Sequence, residues 1–203
     1  FFQGGNTMKT LMLGNEAVAR GLFEAGCSFV SSYPGTPSTE ITECVAKYKE
    51  VYAEWAPNEK VAMEVAFGAS LAGKRSFCAM KHVGLNVAAD PLFTISYTGV
   101  NAGMVIGVAD DAGMHSSQNE QDSRFYGKFA MIPVLEPSTQ QEAYDMMQYA
   151  YSLSEEVKLP VLLRVVTRLA HSRAGVVTAQ PKEQNPLNPS NERGNWVLLP
   201  ANA

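Results

Sequence analysis

Residues 103–109 (GMVIGVA) constrain the fold more than any other stretch of this chain, because all seven are apolar or glycine. A strand without a polar face has to be covered on both sides, which is typical of a parallel sheet between two layers of helices. Shorter strand patterns are predicted at 29–33, 51–55, 76–80, 134–136 and 160–166. Helical patterns lie between them, so the sequence predicts a three-layer α/β fold with a mostly parallel sheet and helices on both faces.

The predicted helices begin and end with local signals in the sequence. They are expected at 16–25, 38–49, 59–72, 86–96, 123–129 and 139–155. Asn15 and Asn58 are suited to cap the first and third helices, because an asparagine side chain can accept a hydrogen bond from a free amide of the first turn. Pro37 fits the first turn of the second helix.

Composition limits the classes of function. With 203 residues, 46% of them hydrophobic and 18% charged, the chain suits one domain or one domain with a tail. A net charge of -4 and a pI near 5.4 argue against nucleic acid as the main partner. Cys27, Cys44 and Cys78 form no CxxC motif, so we predict no metal site, no disulfide framework and a reducing, cytoplasmic environment. The uncharged run 91–109 contains polar residues and glycines, so we predict no membrane span.

The chain changes character along its length. Residues 1–7 (FFQGGNT) resemble an expression scar with an N-terminal extension, and native sequence is expected to start at Met8. Residues 8–173 carry the strand and helix patterns and are predicted to form the domain. Residues 174–203 include a stretch rich in Pro, Asn, Gln and charge, so we predict a linker there toward a missing downstream domain.

Glu64 is the unusual residue of the third predicted helix. Its neighbours one turn away are Lys60, Val61, Phe67 and Gly68, so its carboxylate projects from a largely apolar stripe. A carboxylate in such surroundings has to find a partner, become protonated or be covered by a ligand. Gly68 leaves room for a flat group beside it. The alternative is a Lys60–Glu64 ion pair on a solvated face.

Several loops follow predicted strands, at the edge of a parallel sheet where ligands bind. They are 33–37 (YPGTP), 81–86 (KHVGLN), 110–122 and the loop before the Glu64 helix. Neither GxGxxG nor GxxxxGK[ST] occurs, so a dinucleotide or P-loop site is not favoured. Each loop also has a plainer interpretation: 34–37 as a simple turn, His82 and His115 as hydrogen-bonded loop histidines, Arg124 as a surface residue, and 116–122 as a solvated loop.

Five segments together carry a resemblance to a known family. They are GNEAVARG (14–21), SYPGTPSTE (32–40), NEKVAMEVAFGAS (58–70), MKHVGLN (80–86) and ADDAGMHSSQNEQDSR (109–124). In this order they resemble the N-terminal domain of the 2-oxoacid:ferredoxin oxidoreductases, and they are most similar to the large subunit of the indolepyruvate branch. The resemblance covers about residues 11–173, although YPxTP alone would also fit the pyruvate and 2-oxoglutarate enzymes.

The resemblance implies the pyrimidine-binding domain of a thiamine diphosphate enzyme. Glu64 then matches the catalytic glutamate that hydrogen-bonds N1′ of the aminopyrimidine and favours its 4′-imino tautomer. Thr36 matches a threonine beside cofactor and substrate. The cofactor-binding residues implied by the resemblance are Gly35, Thr36, Glu64, Val83, Gly84 and Asn86. The substrate contacts expected are Thr36, His82, His115 and Arg124.

The implied reaction is the oxidative decarboxylation of indolepyruvate or a similar aryl 2-oxo acid to acyl-CoA. Pyruvate or 2-oxoglutarate are alternative substrates, and a non-catalytic α/β subunit-association module is the alternative of another class. Family members bind the diphosphate and Mg2+ through a second domain with GDG and a downstream Asn, and neither GDG nor cluster cysteines occur in this chain. We therefore expect this chain alone to be inactive. The complete enzyme would use the downstream domain, iron–sulfur clusters, coenzyme A, a second smaller subunit and ferredoxin, and self-association through the cofactor face is also expected.

Overall fold

Residues 9–200 are described by the structure, a computed structural model, and the predicted scar and extension at 1–7 lie outside them. The strands are β1 Lys9–Leu13, β2 Phe29–Ser32, β3 Tyr52–Trp55, β4 Ser76–Lys81, β5 Met104–Asp110, β6 Val134–Leu135, β7 Val161–Val166 and β8 Arg173–Val177. Within the described residues, six strands form a central sheet in the order β3-β2-β4-β5-β7-β6. All its pairings are parallel, so the predicted fold class is confirmed.

Strand β5 lies in the interior of this sheet. All of its seven residues are buried. It pairs with β4 from Ser76↔Met104 to Lys81↔Ala109, and with β7 from Val105↔Val161 to Asp110↔Val166. The strand is therefore paired along both edges and covered on both faces, as the apolar run predicted.

Helices cover both faces of the sheet. They are α1 Gly14–Glu24, α2 Thr39–Val45, α3 Glu59–Leu71, α4 His82–Val87, α5 Ala89–Thr98, α6 Arg124–Ala130, α7 Gln140–Val157, α8 Thr167–His171 and α9 Arg193–Trp196. On one face, α1, α2 and α7 pack in a core with Phe77 and Val105. On the other, α3 and α5 pack in a second core with Met80 and Ile106. Alternate residues of β4 and β5 thus point into different cores.

Asn15 lies inside α1 and not at its N-cap, which is Leu13, so the predicted cap was wrong. The carboxylate of Glu16 instead accepts a hydrogen bond from the Leu13 amide at 2.7 Å. The buried Asn15 Nδ2 donates to the main-chain oxygen of Pro37 at 2.8 Å and to Glu40 Oε2 at 3.2 Å. The asparagine therefore joins α1 to the loop after β2.

Two predicted helices differ in extent from the observed ones. The helix predicted at 38–49 ends at Val45. The helix predicted at 86–96 is two helices, α4 and α5, because the chain departs from helical geometry at Ala88. The first of the two, α4, begins at His82, directly after β4 ends at Lys81, which matters for the site described below.

The antiparallel pair of β1 and β8 was not predicted. Lys9 pairs with Val177 and Leu13 with Arg173. The segment expected to be an exposed linker from residue 174 therefore begins inside a strand. Farther on, the amides of Ala179 and Lys182 donate to the side chain and main chain of Glu24, each at 2.9 Å.

The same segment continues along the domain. The amide of Asn188 donates to the carbonyl of Ala72 at 2.9 Å. Residues 174–188 thus lie against the domain, while the division of the chain into a domain and a linker stays a prediction. Within residues 9–200, no helix is both long enough and apolar enough to cross a membrane.

Replacing Asn58 by alanine should weaken the start of α3, because Asn58 Oδ1 accepts a hydrogen bond from the Val61 amide at 2.9 Å. We expect the free energy of unfolding in urea to fall by about 1 kcal/mol, the usual effect of losing an asparagine cap. Asn58→Asp keeps an acceptor and should unfold close to wild type. An equal loss in both variants would contradict the capping role.

Candidate functional site

The candidate site lies where the order of the strands reverses. From β2 the chain moves outward to β3, and it then crosses back to place β4 on the other side of β2. In an open parallel sheet, the loops at such a reversal separate and leave a crevice at the carboxyl ends of the two strands. Here these loops are the ones that follow Ser32 and Lys81.

The loop after β2 is held closely against the end of β4. A side chain at Gly35 would place its Cβ 2.9 Å from the Cβ of Lys81, so this approach requires glycine. The Gly35 amide donates to Thr39 Oγ1 at 2.9 Å, and its carbonyl accepts from Ser38 Oγ at 2.7 Å. Thr36 follows as an exposed residue with a cis peptide bond to Pro37. The structure thus brings the predicted residues Gly35 and Thr36 to the rim of the crevice.

The segment after β4 meets the beginning of α3. A Cβ at Gly84 would lie 2.6 Å from the Glu59 side chain, so glycine allows α4 to approach α3 closely. Val83 is half-buried and Asn86 is exposed. The Asn86 side-chain oxygen accepts a hydrogen bond from the Tyr126 hydroxyl at 2.6 Å. The predicted cofactor-binding residues of this segment therefore lie beside the helix that carries Glu64.

Glu64 is exposed, and no described residue forms a hydrogen bond or ion pair with its side chain. Lys60, the alternative partner, donates instead to Asp90 Oδ2 at 2.8 Å. Val65 is 37% exposed, and a Cβ at Gly68 would meet nothing within 4 Å. The expected apolar burial of Glu64 is thus absent among residues 9–200, because no described element covers this side of α3. The expected space beside Gly68 is present.

Two adjacent carboxylates at the end of β5 anchor the loop 112–122. Asp111 accepts hydrogen bonds from Thr167 Oγ1 at 2.6 Å, from the Ser116 amide at 2.7 Å and from Ser117 Oγ at 2.7 Å. Burial on its own would raise the pKa of Asp111, but these bonds and one from the His115 amide outweigh it and hold the pKa well below its usual range. The loop is therefore fixed by a carboxylate that stays ionised.

Asp110 points to the other side of the loop and is fully buried. It accepts hydrogen bonds from the Ser123 amide at 2.9 Å and from Arg164 Nε at 2.6 Å. Arg164 also pairs with Glu136, so its buried charge is neutralised. Sequence reasoning missed this role; the available signal was a pair of acids placed directly after a wholly apolar strand.

His82 is fully buried beneath the same loop. Its Nε2 lies 2.8 Å from Asn119 Oδ1, its carbonyl accepts from Gln121 Nε2 at 3.1 Å, and its Nδ1 has no partner among the described residues. The predicted substrate contact at His82 therefore does not fit this conformation. His82 is a hydrogen-bonded histidine, as in the plainer interpretation, but it lies at the start of α4 and not in a loop.

The other two residues proposed for the substrate are not brought together with Thr36 by any described contact. His115 is exposed on the loop. Arg124 is occupied by Asp122, through Nε to Oδ1 and Nη2 to Oδ2 at 2.8 Å each, and its Nη1 lies 3.6 Å from Glu136. In this conformation Arg124 is a paired surface residue, and a substrate carboxylate would have to displace Asp122 from it.

Fold and site together define a three-layer α/β domain with loops at a topological switch point, the place where open parallel sheets commonly bind ligands. Residues 20–196 match the family described as "Pyruvate flavodoxin/ferredoxin oxidoreductase, thiamine diP-bdg". The chain belongs to this thiamine-diphosphate-binding family, which confirms the resemblance seen in the sequence motifs.

Similar proteins with known names are named after 2-oxo acids, either indolepyruvate or 2-oxoglutarate. The chain is 50% identical over 205 residues to the indolepyruvate oxidoreductase subunit IorA of Archaeoglobus fulgidus, covering 96% of this chain and 33% of that protein. The same-named subunit of Pyrococcus horikoshii is 54% identical over 179 residues, covering 86% and 28%. The 2-oxoglutarate synthase subunit KorA of Methanothermobacter thermautotrophicus is more distant, with 29% identity over 181 residues, covering 82% and 47%. The chain thus spans about a third of the IorA subunits it matches.

A solved structure has the same fold. It is the 2-oxoglutarate:ferredoxin oxidoreductase from Magnetococcus marinus with 2-oxoglutarate, coenzyme A and succinyl-CoA bound, with a TM-score of 0.75 and 24% identity. The match covers 85% of this chain and 32% of that one.

Replacing Asp111 by asparagine should destabilise the domain by about 1–3 kcal/mol at pH 7, since hydrogen bonds to a charged acceptor are lost. The pKa of Asp111 is lowered on folding, so its stabilising effect is present above the unfolded-state pKa of about 3.9 and is lost as pH falls below it. The difference in unfolding free energy between wild type and Asp111→Asn should therefore shrink from pH 7 toward pH 3.

Asp145→Asn is the matched control, because Asp145 is exposed on α7. It should change the unfolding free energy little at either pH. A pH-independent difference between wild type and Asp111→Asn would contradict the ionised-anchor role of Asp111.

Proposed function

We propose that this chain is the aminopyrimidine-binding half of a thiamine-diphosphate-dependent 2-oxoacid:ferredoxin oxidoreductase that converts indolepyruvate or similar aryl 2-oxo acids to acyl-CoA. The single observation that carries the proposal is the position of Glu64. Its carboxylate stands without a hydrogen bond from any described residue, on the open side of α3 and next to the space left by Gly68. That side chain is available to a ligand, whereas the acids around the β5 loop are already bonded.

The surroundings of Glu64 leave room for an aminopyrimidine. Such a ring is flat and carries both hydrogen-bond donors and acceptors, and the open space at Gly68 admits a flat group beside Glu64. We assign Gly35, Thr36, Val83, Gly84 and Asn86 to the remaining cofactor contacts. Thiamine diphosphate, when bound, supplies the electron sink for decarboxylation of a 2-oxo acid.

Glu64 would hold a proton toward N1′ of the aminopyrimidine. This hydrogen bond between Glu64 and N1′ would be weak in water. It would become stronger once a covering domain and the ring exclude solvent, because the effective dielectric constant around it falls. Thr36 and His115 would contact the substrate, with Arg124 available once Asp122 is displaced. His82 would act indirectly, by holding the loop that bears His115 through Asn119.

Two alternatives differ in substrate or in class. Pyruvate or 2-oxoglutarate would use the same chemistry, and turnover of aryl against aliphatic 2-oxo acids by the complete enzyme separates these cases. The names of the relatives that are 50% and 54% identical to this chain over the aligned region favour the aryl substrate. A non-catalytic association module is the other alternative, in which Glu64 would have no role in turnover.

The remaining parts of the enzyme would come from outside this chain. We propose that a downstream domain of the same subunit binds the diphosphate with Mg2+, and that a second smaller subunit, iron–sulfur clusters, coenzyme A and ferredoxin complete the reaction. The IorA relatives are about three times as long as this chain, which supports the downstream domain. The free thiols of Cys27, Cys44 and Cys78 support a reducing cytoplasm.

Exposed apolar side chains on α3 and α6 support the proposal that this chain associates with itself or with another subunit. Val65 on α3 is 37% exposed, and Phe125 and Phe129 on α6 are 67% and 76% exposed. Surfaces of this kind mark interaction sites when they are contiguous. Phe129 contacts Phe93 of α5 edge to face, with ring centroids 4.8 Å apart.

Replacing Glu64 by glutamine in the full-length enzyme should lower kcat by a factor of about 10²–10⁴, because an amide can donate a hydrogen bond to N1′ but cannot transfer a proton to it. Single-turnover decarboxylation of an aryl 2-oxo acid measures this. Glu156→Gln removes an exposed carboxylate from α7 and serves as the control, with turnover near wild type. Full activity of Glu64→Gln would favour the association module.

The isolated chain should bind thiamine diphosphate weakly and turn over no substrate, since it carries no GDG motif for the diphosphate. Titration calorimetry of this chain with thiamine diphosphate and Mg2+ measures the affinity. Micromolar binding would show that the second domain is not needed for the cofactor.

A further inference from the structure

The proposed substrate is an anion, and its recognition requires a cation with free hydrogen-bond donors at the crevice. The geometry points to Lys81: we propose that its ammonium group binds the carboxylate of the 2-oxo acid. This inference rests on the function proposed above and adds a substrate contact that the sequence did not single out.

Lys81 is the last residue of β4, on one side of the switch point. Its side chain packs against Gly35 of the loop after β2, directly before Thr36. Its Nζ donates to the carbonyl of Ser116 at 3.0 Å, on the loop that also bears His115. The half-exposed Lys81 side chain therefore touches both the loop after β2, which borders the crevice, and the loop 112–122 after β5.

Three other cations of the described residues, Arg164, Arg124 and Lys60, are already neutralised by carboxylates. Arg164 is buried between Asp110 and Glu136. Arg124 is held by Asp122, and Lys60 by Asp90 at 2.8 Å. A substrate carboxylate would have to displace one of these protein carboxylates from its cation, and the energy of that existing ion pair would be lost.

Lys81 differs because its described partner is a neutral carbonyl. A lysine ammonium has three donors, so the bond to Ser116 leaves two for a substrate carboxylate. Arg168 is also exposed beyond the end of a strand, but it lies on α8 after β7, which is separated from β4 by β5. The switch-point position and the free donors together single out Lys81.

The test compares an anionic substrate with a neutral analogue in the full-length enzyme. Lys81→Met keeps the length of the side chain and removes its charge. We expect it to raise KM for phenylpyruvate by about tenfold or more, because hydrogen bonds to charged groups contribute about 1.5–3 kcal/mol and 1.4 kcal/mol is tenfold. The inhibition constant of phenylacetaldehyde, which lacks the carboxylate, should stay within about twofold of wild type on the same argument.

Lys81→Arg should recover part of the lost affinity, and Lys49→Met, which removes an exposed lysine beyond α2, should behave as wild type. An unchanged KM in Lys81→Met would overturn the assignment, as would an equal weakening of phenylpyruvate and phenylacetaldehyde. Loss of thiamine diphosphate binding in Lys81→Met would also overturn it, since the lysine would then serve the cofactor. Wild-type inactivity on phenylpyruvate would reject the proposed function and this assignment together.

Discussion

Burial of β5 on both faces is the constraint on which the rest of this structure depends. A strand of this kind is stable only when neighbouring strands satisfy its backbone and helices cover both of its surfaces. Parallel pairing meets this requirement, since each crossover connection between parallel strands places a helix on a face of the sheet. The consequence for function is geometric: every carboxyl end of the central sheet reaches the same edge. Loops distant in sequence, such as those at Gly35 and Ser116, therefore meet around Lys81.

At the end of the buried strand, the carboxylates of Asp110 and Asp111 have to be provided with hydrogen-bond partners. Both carboxylates are buried, which would be unfavourable without partners. Asp110 is bonded by Ser123 and Arg164, whereas Asp111 is bonded by Thr167 and the following loop. Because successive residues of a strand point to opposite faces, the two acids fix the loop from two sides. The polar run 116–122 is thus ordered by the protein around it, although its sequence resembles a solvated loop.

The sequence predicts the interior of this fold better than its margins. Apolar patterns identify the strands of the central sheet and the long helix α7. Of these strands, β4, β5 and β7 are almost wholly buried, whereas the edge strands β3 and β6 contain no buried residue. The apolar patterns do not identify β1 and β8, because their pairing joins two segments that lie far apart in sequence, at 9–13 and 173–177. The wrong prediction for Asn15 has a related cause. Asparagine is a common N-cap residue, but here its side chain forms a tertiary hydrogen bond to Pro37, which the sequence does not reveal. His82 and Arg124 were plausible ligand contacts by residue type, and only coordinates show their bonds to Asn119 and Asp122.

Glu64 shows the same limit at the site itself. Spacing along α3 correctly identifies the residues that share its side of the helix, but spacing cannot say what covers that side. If one domain buried Glu64 among apolar groups by itself, folding would have to desolvate an unpaired carboxylate, which is strongly unfavourable. A site divided between two domains avoids this, since Glu64 remains hydrated while the domain folds. On the proposed function, the Glu64 carboxylate loses its water only when a second domain and the aminopyrimidine cover it. The hydrogen bond that then forms between Glu64 and the ring offsets the cost of this desolvation. If the proposed function holds, the exposure of Glu64 is what a cofactor site shared between two domains requires of this half.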